Sequence, residues 1–432
     1  MNKIGHLVSR FRYPLALAAL SALALGGYLL TSWRTYALGF PLDDAWIHQT
    51  YARNLGAAGG WRYAGGETSG GSTAPLWTAI LAAGYRLKLN PYLWTYLLGW
   101  AGLWGLALIG MWVFRSLCPE RAGWQLWVGA GLAFEWHLVW AAGSGMETLL
   151  FGMLVLGVMG VLLRQSGGGQ AGAMRIATNY RGASGETCGG EGSARGWFLT
   201  GALIGLSAWL RPEGITLLCP ALLTATLAGN RSRDRLRPLA WIMLGFGALL
   251  LPYLLFNRLS AGAWWPNTLY AKQAEYAELR QAPLGERFLA QAALPLVGAG
   301  LFLLPGFTRL AWISVSKRSH PRSWAVLAGV LWVAGFLGSY AWRLPVTYQH
   351  GRYAIPAMLV FFVWGSAGLA GWLQPKAEIA WRRVTSRAWG LAVVAMLLAF
   401  WIQGAFAYAR DVAVIESEMV ATARWVAAKT EP

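Results

Sequence analysis

The chain has 432 residues, of which 56% are hydrophobic and 12% charged, with 27 tryptophans and a formal charge of +18. That balance excludes an ordinary soluble globular domain, and the isolated cysteines Cys118, Cys188 and Cys219 offer neither a disulfide framework nor zinc-ligand spacing. Apolar stretches recur along the whole length, many of them long enough to cross a hydrocarbon core of about 30 Å as a helix, so the expected class is an all-α polytopic membrane protein.

In chain order, Lys3, Arg10 and Arg12 precede an apolar run at 14–32. With no convincing cleavage site after it and many spans beyond, this reads as a retained first helix whose basic end lies in the cytoplasm. Residues 33–90 form a first outer loop containing "GFPLDDAWIHQTYARN". Here Asp43 suits the N-cap of a short helix, and Asp44 suits the positive end of its dipole. His48 lies four residues beyond Asp44 on the same face, a spacing that fits a hydrogen bond, an acid and base pair, or two metal ligands. At least one aspartate is left over from capping and is a candidate for chemistry. The stretch 74–87, "APLWTAILAAGYRL", is apolar but short, and is expected to lie in the outer interface.

Further spans are expected near 91–114, 124–141, 146–163, 197–210, 214–229, 238–257, 289–305, 323–341, 354–373 and 389–407, eleven in all with the first. Between them, Ser144-Gly-Met-Glu147 has the pattern of a capping box, which leaves Glu147 either a cap or a site residue. Residues 164–196 are rich in Gly, Ser and Ala and read as a flexible cytoplasmic loop. Gly167-x-Gly169-x-x-Gly172 within it lacks the preceding strand that a dinucleotide fingerprint requires. Arg211-Pro-Glu213-Gly214 joins two short spans; a turn explains Pro and Gly but not the charged pair. In "WWPNTLYAK" the tryptophans suit an interfacial belt, while Asn267, Tyr270 and Lys272 can line a polar mouth. His350-Gly-Arg352-Tyr353 puts a cation at headgroup level just ahead of the span at 354–373; snorkelling is the alternative for Lys272 and Arg352. A tail, 408–432, follows the last span.

Charge sorts the loops by side. With this topology the cytoplasmic segments hold 21 of 36 Lys and Arg and 5 of 18 acidic residues, the outer segments 15 and 12, and Glu135 lies within a span. The basic excess thus follows the positive-inside rule, and nucleic acid is excluded as its explanation. The acidic and polar clusters fall on the outer side, where ionisable groups near the bilayer imply a function.

The motifs "PLDDAWIHQTYARNL", "GETSGGSTAPLW", "SGMETLLF", "LRPEG", "WPNTLYAK" and "GRYAIP", in that order, resemble bacterial integral-membrane glycosyltransferases of the C-type (GT-C) superfamily. The nearest branch is that of the mycobacterial terminal β-(1→2)-arabinofuranosyltransferase, and the resemblance covers roughly residues 35–420. It implies a GT-C-like bundle of about eleven transmembrane helices, with interfacial helices in the first outer loop. It also implies inverting transfer of a sugar from a polyprenyl-phosphate carrier to a glycan, lipid or protein hydroxyl on the extracytoplasmic face of a bacterial plasma membrane. The family's base, an acidic residue of the first outer loop, falls on Asp44 or Asp43. Candidates for binding substrate and lipid phosphate are His48, Glu147, Arg211, Glu213, Asn267, Tyr270, Lys272, His350, Arg352 and Tyr353. No cofactor is required with certainty; the acidic pair beside His48 leaves room for a divalent metal. Members of this branch continue into a soluble outer domain, of which 408–432 resembles a shortened opening. The alternative reading is a transporter or flippase of a lipid-linked or polar solute, which the lack of an internal repeat and the one-sided acidic clusters disfavour.

Overall fold

A computed structural model describes residues 3–64, 68–167, 193–228, 236–373 and 380–430. The glycine fingerprint beyond Gly167, Cys188 and most of the Gly-rich loop lie outside the described residues. All regular structure among those described is helical: α1 (Lys3–Thr35), α2 (Asp44–Ala58), α3 (Pro75–Arg86), α4 (Pro91–Leu117), α5 (Gln125–Phe134), α6 (Trp136–Gly143), α7 (Thr148–Gln165), α8 (Ala194–Ala208), α9 (Leu218–Leu227), α10 (Leu236–Ala261), α11 (Asn267–Glu275), α12 (Leu284–Ala293), α13 (Gly300–Ser316), α14 (Pro321–Arg343), α15 (Ile355–Trp372), α16 (Ala380–Val414) and α17 (Ala421–Lys429), joined in places by short 3-10 turns.

Among the described residues seven helices are long and apolar enough to cross a membrane, eight if α12 and α13 count as one bent pair. The chain is a multi-pass membrane protein. Three of the eleven expected spans are shorter pieces. The stretch 124–141 is two helices, because Glu135 adopts extended backbone and its carboxylate accepts from the amide of Leu138 at 3.2 Å, capping α6 inside the bundle. The other two are α8 and α9, either side of the 211–214 turn. The expected span at 289–305 is also displaced: α12 and α13 meet at 105°. Gly298, with φ of 81°, turns the chain there, and the apolar helix runs instead from Gly300 to Ser316.

The core centres on α15, apolar on every face and buried from Ile355 to Gly365 but for no residue. It packs against α13 through glycines: a side chain at Gly368 would stand 1.9 Å from the carbonyl oxygen of Gly306, so the two backbones meet in the small-residue manner of membrane helices.

The two helices of the expected first outer loop, α2 and α3, pack on one another. The indole of Trp77 on α3 donates to the carbonyl of Gly145 at 2.9 Å. The segment leading into α2 is held from two sides: Tyr96 of α4 and Tyr408 of α16 both donate to the carbonyl of Gly39, at 2.7 and 3.2 Å. Beyond α16 a π-helical stretch, Ile415–Val420, turns Glu416 inward, where its carboxylate accepts from Tyr92 at 3.1 Å. Residues 408–429 continue the last long helix.

Candidate active site

The start of α2 sets the site. Asp43 is its N-cap and accepts from the amide of Asp44 at 2.9 Å; it is exposed. Asp44, the first helical residue, points the other way, and its Oδ2 accepts from Lys272 Nζ at 3.0 Å and Arg352 Nη2 at 2.5 Å. Both cations also donate to the Tyr353 hydroxyl, at 3.1 and 2.8 Å. Lys272 and Arg352 are therefore drawn inward rather than snorkelling to headgroups.

Electrostatics follow from that geometry. Burial by itself raises the Asp44 pKa, but the adjacent Arg352 and Lys272 outweigh it and hold the carboxyl well below the usual carboxylate range. Burial lowers the Lys272 pKa, yet Asp44 and the Tyr353 hydroxyl together more than compensate and keep the amine charged. Two nitrogens of Arg352, Nε and Nη1, are buried with no hydrogen-bond partner among the described residues. Such groups are costly unless something else satisfies them.

A second layer meets the first at Tyr353. Arg211, between α8 and α9, sits over the Tyr353 ring at 5.3 Å. Its Nη1 is 3.7 Å from Glu147 Oε1 and its Nη2 3.4 Å from Glu213 Oε1. The Tyr340 hydroxyl donates to the same Glu213 oxygen at 2.5 Å. His48 Nε2 lies 3.7 Å from Glu147 Oε2, while its Nδ1 meets the hydroxyls of Thr78 and Ser72 at 3.1 and 3.2 Å. Burial pushes the His48 pKa down, so the imidazole is neutral.

The capping box does not form. Gly145, with φ of 77°, turns the chain so that Ser144 donates to Ala141 at 2.7 Å, and Glu147 makes no side-chain cap. Its carboxylate is thereby directed to Arg211 and His48. The cluster thus unites Asp44, His48, Glu147, Arg211, Glu213, Lys272, Arg352 and Tyr353. Asn267 and Tyr270 belong to α11, but their side chains lie outside the described residues. His350 is turned elsewhere, to Asp411 at 2.7 Å. Tyr340 escaped the sequence reading because it sits in an apolar span; its signal is its place near the C-terminal end of that span.

Among the described residues no three His, Cys, Asp or Glu side chains converge to hold a metal ion. Of the acidic pair beside His48, Asp43 caps α2 and Asp44 meets Lys272 and Arg352, while His48 meets Thr78 and Ser72. A separate cavity of about 940 Å³ lies among α5, α13, α15 and α16, lined by apolar groups such as Leu132, Leu303, Phe362 and Leu397, with Glu135 and Arg387 at its wall. It shares no lining residue with the cluster.

No family model matches the sequence, and no curated protein matches it. Solved structures do match in fold. ArnT from Cupriavidus metallidurans bound to undecaprenyl phosphate superposes with a TM-score of 0.52 at 16% identity, over 91% of this chain and 74% of ArnT. The Archaeoglobus fulgidus oligosaccharyltransferase in complex with Zn and sulfate gives 0.58 at 12% identity, over 91% of this chain and 53% of the neighbour. The same organism's AglB, with an inhibitory peptide and a dolichol-phosphate, gives 0.53 at 12%, over 92% and 56%. The helical bundle is GT-C-like in fold. The chain spans just over half the length of the archaeal enzymes.

Proposed function

We propose that the chain is an inverting glycosyltransferase that moves a sugar from a polyprenyl-phosphate carrier to an acceptor hydroxyl on the extracytoplasmic face. The observation that carries this reading is the convergence of Asp44 with Lys272 and Arg352, residues 228 and 308 positions away in sequence, in one half-buried cluster. Neighbours of the same fold solved with undecaprenyl phosphate and dolichol-phosphate support the class of donor.

The chemistry assigns each group a task. The acceptor oxygen attacks the anomeric carbon, the bond from that carbon to the phosphate oxygen breaks, and the acceptor proton passes to Asp44. A single displacement needs one such base. Polyprenyl phosphate leaves with an added negative charge, which Lys272 and the unpartnered nitrogens of Arg352 stabilise in a site of reduced dielectric. As the cations turn to the phosphate they loosen from Asp44, and its basicity rises toward that of an ordinary carboxylate when the proton has to be taken. The resemblance of its outer motifs to the arabinofuranosyltransferase branch supports an arabinofuranosyl or related sugar as donor and a cell-envelope glycan as acceptor. The N-terminus is cytoplasmic in a bacterial plasma membrane.

The test uses purified protein, a radiolabelled polyprenyl-phosphate sugar and candidate glycan acceptors. Asp44→Asn is expected to lower transfer by about 10² to 10⁴, with Asp43→Asn within about threefold of wild type, since that side chain serves a cap. A loss under about tenfold for Asp44→Asn removes it as the base.

A further inference from the structure

Arg352 is delivered by an unusual stretch of backbone. Gln349, His350 and Gly351 have consecutive φ values of 55°, 55° and 61°. Left-handed backbone suits glycine, but two side-chain-bearing residues in succession stay there only when their surroundings hold them.

The surroundings of His350 are specific. Its Nε2 is 2.7 Å from Oδ2 of Asp411 on α16, and the same oxygen accepts from the Trp140 indole of α6 at 3.1 Å. The imidazole also packs against the rings of Trp136 and Trp140, with centroids 5.5 and 4.9 Å away. Neither His350 nor Asp411 has a hydrogen bond or ion pair to a member of the Asp44 cluster among the described contacts. Two residues on from His350, however, Arg352 reaches Asp44, and Tyr353 receives both cations.

We propose that Asp411 and His350 form a positioning pair, which clamps the left-handed turn at 349–351 to α16 and so fixes Arg352 and Tyr353 to receive the donor's phosphate. This rests on the glycosyltransferase reading above. His350 is then a positioning residue that acts through three residues of backbone, and the phosphate ligand is Arg352. The clamp joins the segment before α15 to α16 through the half-helix α6.

Three variants test it: Asp411→Leu, which removes the acceptor; Asp411→Asn, which keeps an oxygen for His350 and Trp140; and Asp411→Leu combined with Gln349→Gly, which relieves one left-handed residue. Each is measured for hydrogen exchange of the 349–354 amides, for binding of radiolabelled polyprenyl phosphate, and for sugar transfer. Asp411→Leu is expected to speed exchange in that segment and to weaken lipid-phosphate binding by about tenfold or more, as displacement of a positioned group does. Asp411→Asn is expected within about threefold of wild type, and Gln349→Gly to restore at least about threefold of the binding lost in the Leu background.

Binding and transfer within about twofold of wild type in Asp411→Leu overturn the clamp. Asn as damaging as Leu also overturns it, because the carboxylate's charge rather than its bond to His350 is then what matters. If wild-type protein neither binds polyprenyl phosphate nor transfers sugar, the glycosyltransferase reading fails, and exchange alone decides the clamp: unchanged exchange at 349–354 in Asp411→Leu overturns it.

Discussion

The two layers that meet at Tyr353 are built differently. Asp44, Lys272 and Arg352 come from the ends of loops and short helices, with the Asp44 and Lys272 side chains 19% and 27% exposed and Arg352 buried behind them. Arg211 and Glu147, 9% and 4% exposed, are fixed in the turn between α8 and α9 and at the start of α7, with Tyr340 of α14 closing on Glu213. A charge on a short amphipathic helix such as α11 can change partner when a phosphate arrives. A charge wedged between spans cannot do so without disturbing packing. The first layer suits transfer chemistry, and the second braces it.

Substitutions can break this comparison. Arg211→Met is expected to have the largest effect on folding, about 3–5 kcal/mol of stability, because Glu147 and Glu213 are left as uncompensated charges; thermal unfolding in detergent measures it. A loss comparable to that of a surface pair would merge the two layers into one. Lys272→Met is expected to lower transfer by about 10²-fold while costing less than about 1 kcal/mol of stability, the reverse pattern. Tyr340→Phe, which deprives Glu213 of a donor, is expected to cost about 1–3 kcal/mol with donor KM little changed.

Acid sharpens the same contrast. An unfolded Asp carboxyl titrates near about 3.9, whereas folded Asp44 lies lower because its cations oppose protonation. Its contribution to stability is therefore complete above about pH 4 and is lost as pH falls through its own depressed value. Unfolding midpoints of wild type and Asp44→Asn should differ at neutral pH and converge on acidification below that point.

Much of the site was legible because a charged residue stands out in an apolar chain. Asp44, Glu147, Arg211, Lys272 and Arg352 were each marked by lying at a junction of loop and helix, and the structure brings them together. What failed was local pattern under tertiary control. The serine and glutamate of 144–147 have capping-box spacing, but Gly145 turns them apart and the carboxylate finds a stronger partner in Arg211. His350 shares a motif with Arg352, yet left-handed backbone sends the two side chains to different places. The bend at Gly298 was hidden by hydropathy, which reads 289–305 as one apolar segment and is blind to a change of direction. The all-helical bundle itself was plain from hydropathy, since only helices and closed barrels satisfy backbone groups in lipid.

The anchoring of Gly39 has a consequence for biosynthesis. The acid-bearing segment is among the first parts of the chain to emerge, yet Tyr408 and Glu416, which pin it from the far terminus, stand 369 and 324 positions from their partners Gly39 and Tyr92. Contacts of such separation form late, after the intervening loops have closed. A ribosome that has made the first three hundred residues has therefore inserted most of the bundle without yet holding an assembled Asp44 cluster, and the segment that carries it is pinned only when α16 and the turn beyond it dock.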